Sequence, residues 1–326
     1  MTEAPSVPVV DLGWAEEQAA KAVHDACVRY GFLYVTNHGV PEELIKAHFD
    51  MQQRFFSLPL EQKMTILADA NNRGYTPLGE ETLDPERSKA PDTHEGLYYC
   101  REVPPDSEEA KLPLHGPNQW PAEELVPGYR AVVQQYFDAV TALGMRMLRL
   151  LALSLGLPPG YFHPFFTRPM LALRPLHYSA TPSRPQDGLY GAGAHSDYGM
   201  LTFLATDGVP GLQICPDRAT GEWVDVPPLE GCYIVNLGDM LERWTNGVYR
   251  STLHRVVNLE GRERYSAAFF FEPNFDTCVE PLPQCCSEDR PAKYPPTTSG
   301  QWLLHRYRAT HSGYADQKAA TGGSAA

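Results

Sequence analysis

In the stretch GAGAHSDYGMLTFL, His195 and Asp197 are separated by a single residue. In an extended chain, residues i and i+2 share a face, so this imidazole and carboxylate would look into one cavity. Two histidines and one carboxylate on one face of an octahedron make a mononuclear non-haem iron site, with the remaining positions open to reactants. The third ligand should come from another strand, and His254 in YRSTLHRVVN is the candidate. Shortly after it, Arg264 and Ser266 in RYS are again one residue apart, hence on one strand face. A guanidinium fork beside a hydroxyl suits a carboxylate, which it can hold by two parallel charge-assisted hydrogen bonds. The spacing therefore predicts an iron-ligand triad with a carboxylate anchor a short distance along the sheet.

The elements that must position these groups follow from periodicity. VPVVDL reads as a short strand. Glu16 to Tyr30 reads as a helix, with Ala19, Val23, Ala26 and Tyr30 at helical spacing and Gly31 as its stop. FLYVTN is a second strand. Pro41 suits a first helical turn, and behind it Leu44, His48, Met51 and Phe55 share a stripe. From about Asn71 to Pro127 the chain is rich in Pro, Gly, Asp and Glu without clear period, which predicts a long binding loop or lid. Tyr129 to Leu155 is the longest helix, with an apolar stripe of Val132, Tyr136, Ala139, Leu143, Met147 and Leu150, ended by Gly156 and Pro158–Pro159. From Leu171 short runs rich in Val, Thr, Tyr and Phe alternate with turn residues, the pattern of a β-sandwich or barrel. SGQWLLHRYRA reads as a last helix, and ADQKAATGGSAA as a disordered tail. The expected class is mixed α and β, a β core buttressed by N-terminal helices. The expected organisation is residues 1–120 as a helical and strand region with the substrate-side loop, 121–310 as the long helix plus catalytic core, and 311–326 as the tail, the first two forming one integrated domain.

The 326 residues carry a net charge of −13, with 43% apolar and 21% charged residues. An acidic globular chain of this kind argues against nucleic acid or an anionic membrane as the main partner. Seven cysteines, odd in number and without paired spacing, read as reduced thiols rather than as a disulfide framework or a zinc site. The N-terminus shows no signal-peptide pattern and no apolar run approaches the roughly 18 residues of a membrane span, so the expected location is cytoplasmic. Cys285–Cys286 has no basic group beside it in the sequence to lower a thiol pKa. His38, His48, His94, His177 and His305 read as surface or packing histidines, and Asn236 and Asp239 as a turn that ends a strand and starts a helix.

The combination HSD…HRV…RYS resembles the HxD…H…RxS signature of the Fe(II)/2-oxoglutarate-dependent dioxygenases, in the isopenicillin-N-synthase-like branch. PVVDL, GFLYVTNHGVP, RGYTPLGEE, HGPNQWP, LRPLHYS, VNLGDMLERWTNGVYRSTLHRVVN and FFFEPNF extend the similarity from about residue 7 to about residue 310. Within the branch the wording is similar to thymine 7-hydroxylase and the ethylene-forming enzyme more than to the antibiotic synthases. The resemblance implies a jelly-roll (double-stranded β-helix) core with iron at one mouth. It implies His195, Asp197 and His254 as Fe(II) ligands at the catalytic centre, and Arg264 and Ser266 as the grip on the far carboxylate of 2-oxoglutarate. Many relatives carry an Asn-x-Tyr pair; here the segment reads Leu176-His177-Tyr178, so Tyr178 fits as a cosubstrate contact and the asparagine is replaced. Arg174 would compensate or would bind an acidic group on the substrate. On the substrate side the expected residues are Phe270, reached by strand alternation from Arg264, then Tyr198, and the loop with Arg73, Tyr75, Glu81, Thr82 and Glu95, since relatives close such a loop over the substrate. The implied reaction consumes O2 and 2-oxoglutarate, releases succinate and CO2, hydroxylates a small molecule and is supported by ascorbate. Desaturation, ring closure and ethylene formation are compatible with the same signature. Two alternatives stay open: a 2-oxoglutarate-independent iron oxidase resembling isopenicillin N synthase, and a non-catalytic jelly roll that binds a small molecule. A zinc hydrolase is the weaker third.

Overall fold

The computed structural model describes residues 7–310; the expected disordered tail lies outside the described residues. Strand β1 (Val9–Asp11) pairs parallel with β2 (Phe32–Thr36) at one edge of an eight-stranded sheet. The sheet continues antiparallel through β10 (Tyr233–Leu237), β7 (Leu201–Thr206), β12 (Arg264–Asn274), β5 (Pro169–Tyr178), β4 (His94–Cys100) and β3 (Gly74–Thr76). A smaller sheet runs β6 (Ala192–His195), β11 (Leu253–Val256), β8 (Leu212–Cys215), β9 (Val224–Asp225). The strands β13 (Cys278–Val279) and β14 (Thr297–Thr298) form a separate pair.

Period-2 alternation divides the large sheet into two faces. On β12, Tyr265, Ala267, Phe269 and Phe271 belong to the main apolar core, with Phe203 of β7, Val235 of β10 and Leu173 of β5. Helices α1 (Glu16–Arg29), α2 (Glu42–Phe56) and α4 (Tyr129–Ser154) cover that face. The other face, with Arg264, Ser266, Ala268, Phe270 and Glu272 of β12, lines a cavity whose opposite wall includes β6 and β11. The short α3 (Leu60–Lys63) follows α2, α5 (Asp239–Trp244) follows β10, and α6 (Ser299–Thr310) closes the described chain. Helix α4 approaches β12 so closely that a Cβ at Gly144 would lie 2.3 Å from the ring of Phe271.

Two expectations are corrected. The stretch from Asn71 to Pro127 is not simply a loop, because β3 and β4 rise from it and extend the sheet. In β4, residues His94 to Tyr99 are all buried, so the strand has no polar–apolar alternation to betray it. The buried stripe of α2 is rotated from the expected one: it holds His48, Phe49, Gln52, Phe55 and Phe56.

Candidate active site

The cavity is assembled by strand register. His195 closes β6 and His254 lies directly opposite it on β11, with the two rings 4.2 Å apart at their centroids. Each Nδ1 faces a backbone carbonyl, His195 that of Gly193 at 2.8 Å and His254 that of Thr252 at 3.1 Å. A carbonyl only accepts, so Nδ1 carries the proton and the Nε2 lone pair is left for a metal. Asp197 lies beyond the end of β6, so simple strand alternation does not place it. Its loop returns to the same point because Asp239 N–H donates to its carbonyl at 2.8 Å, while Trp302 Nε1 of α6 donates to the carbonyl of Tyr198 at 2.9 Å. Asp197 Oδ1 is 3.5 Å from His254 Nε2 and 3.8 Å from His195 Nε2. One ligand atom from each of the three residues lies within 4.8 Å of the others, a donor set and spacing that fit one ferrous ion.

Electrostatics agree with that use. Burial, and then the neighbouring His254, push His195 down to about 4, so it is a neutral donor near pH 7. Burial alone would raise Asp197, but His254, His195 and the Thr202 hydroxyl hold its carboxyl well below the usual range. Two donors reach Asp197 Oδ2: Thr202 Oγ1 at 2.5 Å and Asn236 Nδ2 at 2.6 Å. Sequence reasoning assigned Asn236 to a turn; it lies in β10 and touches a candidate ligand instead.

Next to the triad, Arg264, Tyr178 and His94 form one row across β12, β5 and β4, and Ser266, Leu176 and Gly96 form the next. Arg264 is buried, its Nε donates to the carbonyl of Val209 at 3.2 Å, and its guanidinium lies 4.8 Å above the Tyr178 ring. Its Nη1 and the hydroxyl of Ser266 are buried without a hydrogen-bond partner. Buried polar atoms are rarely left so, and the carboxylate of a bound diacid would satisfy both. Leu176 lines the same wall and offers no polar atom there.

Further along the strands, Arg174 of β5 stands opposite Ala268, and Phe270 opposite Ala172. Arg174 donates to Glu81 Oε2 at 2.7 Å and stacks 4.0 Å over Tyr98, while its Nη1 is buried and unpartnered. Glu81, Tyr198 and Phe270 line the cavity. Thr82 does not: the lining passes from Glu81 to Leu83. Arg73 lines it too, with its guanidinium on Asn118 and two backbone carbonyls. Tyr75 and Glu95 face away from it. Glu95 is odd-numbered on a strand whose even residues look inward, and it binds Lys63 at 2.7 Å, His177 Nδ1 at 2.8 Å and the Tyr75 hydroxyl behind the sheet. His94, read as a packing histidine, is a cavity residue. Its Nδ1 faces the carbonyl of Gly191 at 2.8 Å and its Nε2 faces Glu81 at 2.9 Å. Burial opposes a charge on His94, but Glu81 and Asp92 outweigh it and raise its pKa.

Glu272 completes this wall. It occupies the space a side chain at residue 199 would need: a Cβ on Gly199 would fall 1.6 Å from Glu272 Oε1. Met200 N–H donates to its Oε2 at 2.5 Å, and burial pushes its carboxyl up to about 8.

Two protein-family models match the chain: the non-haem dioxygenase in morphine synthesis N-terminal family over residues 7–123, and the 2OG-Fe(II) oxygenase superfamily over residues 170–273. The chain is similar to the 2-oxoglutarate-Fe(II) type oxidoreductase hxnY of Emericella nidulans, 39% identical over 93% of this chain and 90% of the relative. It is 36% identical to homoarginine-6-hydroxylase 2-ODD-C23 of Glycine max, over 86% of this chain and 89% of that one. Among solved structures, full-length thymine 7-hydroxylase of Neurospora crassa in complex with alpha-KG and thymine superposes with a TM-score of 0.83 at 31% identity, covering 95% of this chain and 98% of the hydroxylase.

Proposed function

The chain belongs to the 2OG-Fe(II) oxygenase superfamily, and on that footing we propose that His195, Asp197 and His254 hold its iron, that Arg264, Ser266 and Tyr178 hold 2-oxoglutarate, and that Arg174, Glu81, Tyr198 and Phe270 meet the substrate. The protein is an Fe(II)- and 2-oxoglutarate-dependent oxygenase of the hydroxylating kind, built on a double-stranded β-helix and acting on a small molecule. When bound, the iron supplies the activation of O2 that couples oxidation of 2-oxoglutarate, to succinate and CO2, with oxidation of the substrate.

The chain's own part is positioning. The Nδ1–H bonds of His195 and His254 fix both rings with Nε2 toward the ion. Arg264 Nη1 and the Ser266 hydroxyl bind the far carboxylate, which sets the angle at which the rest of the diacid reaches the metal. Leu176, Leu204, Leu212 and Val256 keep water from that half of the cavity. On the substrate half, Arg174 Nη1 donates to an acceptor oxygen of the substrate, with Phe270 as an apolar wall beside it. Thr82 has no part in this proposal. The Neurospora hydroxylase is seen with thymine and the Glycine max relative is named for homoarginine, which supports a small-molecule substrate.

The observation that carries the reading is the convergence of three ligand atoms beside two unpartnered anion-binding groups, Arg264 Nη1 and Ser266 Oγ. Purified protein with Fe(II), ascorbate and 2-oxoglutarate, screened against small metabolites that include thymine, tests it. Succinate release should rise above its basal rate with a compound bearing an acceptor oxygen. A wild-type protein that binds neither Fe(II) nor 2-oxoglutarate would sink the assignment. We also propose a cytoplasmic location, supported by seven free cysteines; among the described residues no helix is long and apolar enough to cross a membrane.

A further inference from the structure

Thr202 and Asn236 are direct cross-strand partners on β7 and β10, and both point into the cavity. Both donate to the same atom, Asp197 Oδ2, from 2.5 and 2.6 Å, and all three side chains are buried. An ionised carboxylate oxygen has two in-plane lone-pair sites, so these two donors use what Oδ2 has. Oδ1 alone remains, on the side of the two Nε2 atoms.

We propose that Thr202 and Asn236 are positioning residues that lock Asp197 into one-oxygen coordination of the metal. A carboxylate is free to bind a cation through one oxygen or both. With three single-atom ligands, an octahedral ion keeps three open positions, enough for a two-point chelating 2-oxo acid and for O2. Were Asp197 to turn and bind through both oxygens, it would take a position the cosubstrate needs. The lock prevents that turn without contributing a ligand of its own. Neither residue betrays this in sequence, because Thr202 stands in an ordinary strand-like run and Asn236 reads as a turn residue. The proposal rests on the metal-site assignment above.

The test uses Co(II) as a spectroscopic stand-in for iron, in the full-length protein with Thr202→Val, Asn236→Leu and the double substitution. Both replacements keep the heavy-atom count and branching of the native side chain, and Thr202→Ser keeps the hydroxyl as a rescue. Unfolding midpoints establish that each variant is folded. The double variant should bind Co(II) at least as well as wild type, show altered visible bands from the changed arrangement of its ligands, and bind 2-oxoglutarate on the order of tenfold more weakly. Each single variant should fall between, and Thr202→Ser should match wild type. Unchanged bands and unchanged 2-oxoglutarate affinity in the folded double variant would overturn the lock. So would a loss of Co(II) affinity with normal 2-oxoglutarate binding by the loaded form, since the pair would then serve only to retain the ion. Failure of the wild-type protein itself to bind Co(II) would instead strike the metal-site assignment.

Discussion

Single side chains divide the labour sharply. His195 contributes one imidazole to the candidate iron site, the one such three-residue group found among the described residues. His195→Ala should reduce substrate-stimulated succinate release below about one-hundredth of wild type and weaken Fe(II) binding, read by anaerobic metal titration. Under the proposed assignment Arg264 acts differently, because it would reach only the far end of the cosubstrate. Arg264→Ala should raise the KM for 2-oxoglutarate by about tenfold or more while saturating cosubstrate restores most of kcat; an equal loss of kcat and kcat/KM would place the arginine in the chemical step. These residues were legible because type and spacing coincide with a strand repeat: Arg264, Ser266 and Phe270 share a face in the sequence and in the fold. His94 was not legible, since its partner Glu81 comes from an irregular stretch thirteen positions away and no local pattern joins them. Thr202 and Asn236 escaped for the same reason, for only the β7–β10 register brings them together.

Elements hold the cavity through close contacts that small residues permit. Gly144 lets α4 lie on Phe271, and Gly199 gives its side-chain space to Glu272. Gly144→Ala should destabilise the protein by about 1–3 kcal/mol through overpacking, despite alanine's better helix propensity. Gly199→Ala should cost more in wild type than in a Glu272→Ala background, and chemical denaturation of the four proteins of that cycle would measure the coupling. Equal costs in both backgrounds would mean that the ligand loop, not the carboxyl, resists the methyl group. At this scale the helices α1 and α4 were readable from period and stop signals, whereas β3 and β4 were hidden among prolines and glycines. The Asp197 loop was half readable: its partner His195 sits on a strand, but its own position depends on Asp239 and on Trp302 of α6, more than a hundred residues downstream in the latter case.

At the scale of the molecule, strands from the first hundred residues complete the same sheet as β5, β7, β10 and β12. We propose that residues 1–120 and 121–310 form one integrated domain; calorimetry should then show a single cooperative transition, and two separable ones would divide it. Its stability should carry a mark of Glu272. The folded carboxyl titrates near 8 against 4.5 for the free group, because burial favours the protonated form. The folded state therefore holds a proton that the unfolded chain has released, and stability falls as pH rises through that window. In the metal-free protein, the stability of wild type relative to Glu272→Gln should drop by about 1–3 kcal/mol between pH 5 and pH 8. Finally, the rows that cross β12 and β5 divide the cavity: Arg264–Tyr178 and Ser266–Leu176 face one half, Ala268–Arg174 and Phe270–Ala172 the other. Because neighbouring rungs are two residues apart, the proposed assignment implies that changes at positions 172, 268 and 270 would retarget such a scaffold while its fuel supply stays intact. On that assignment, diversification of this fold would need only the editing of a few rungs of an otherwise untouched ladder.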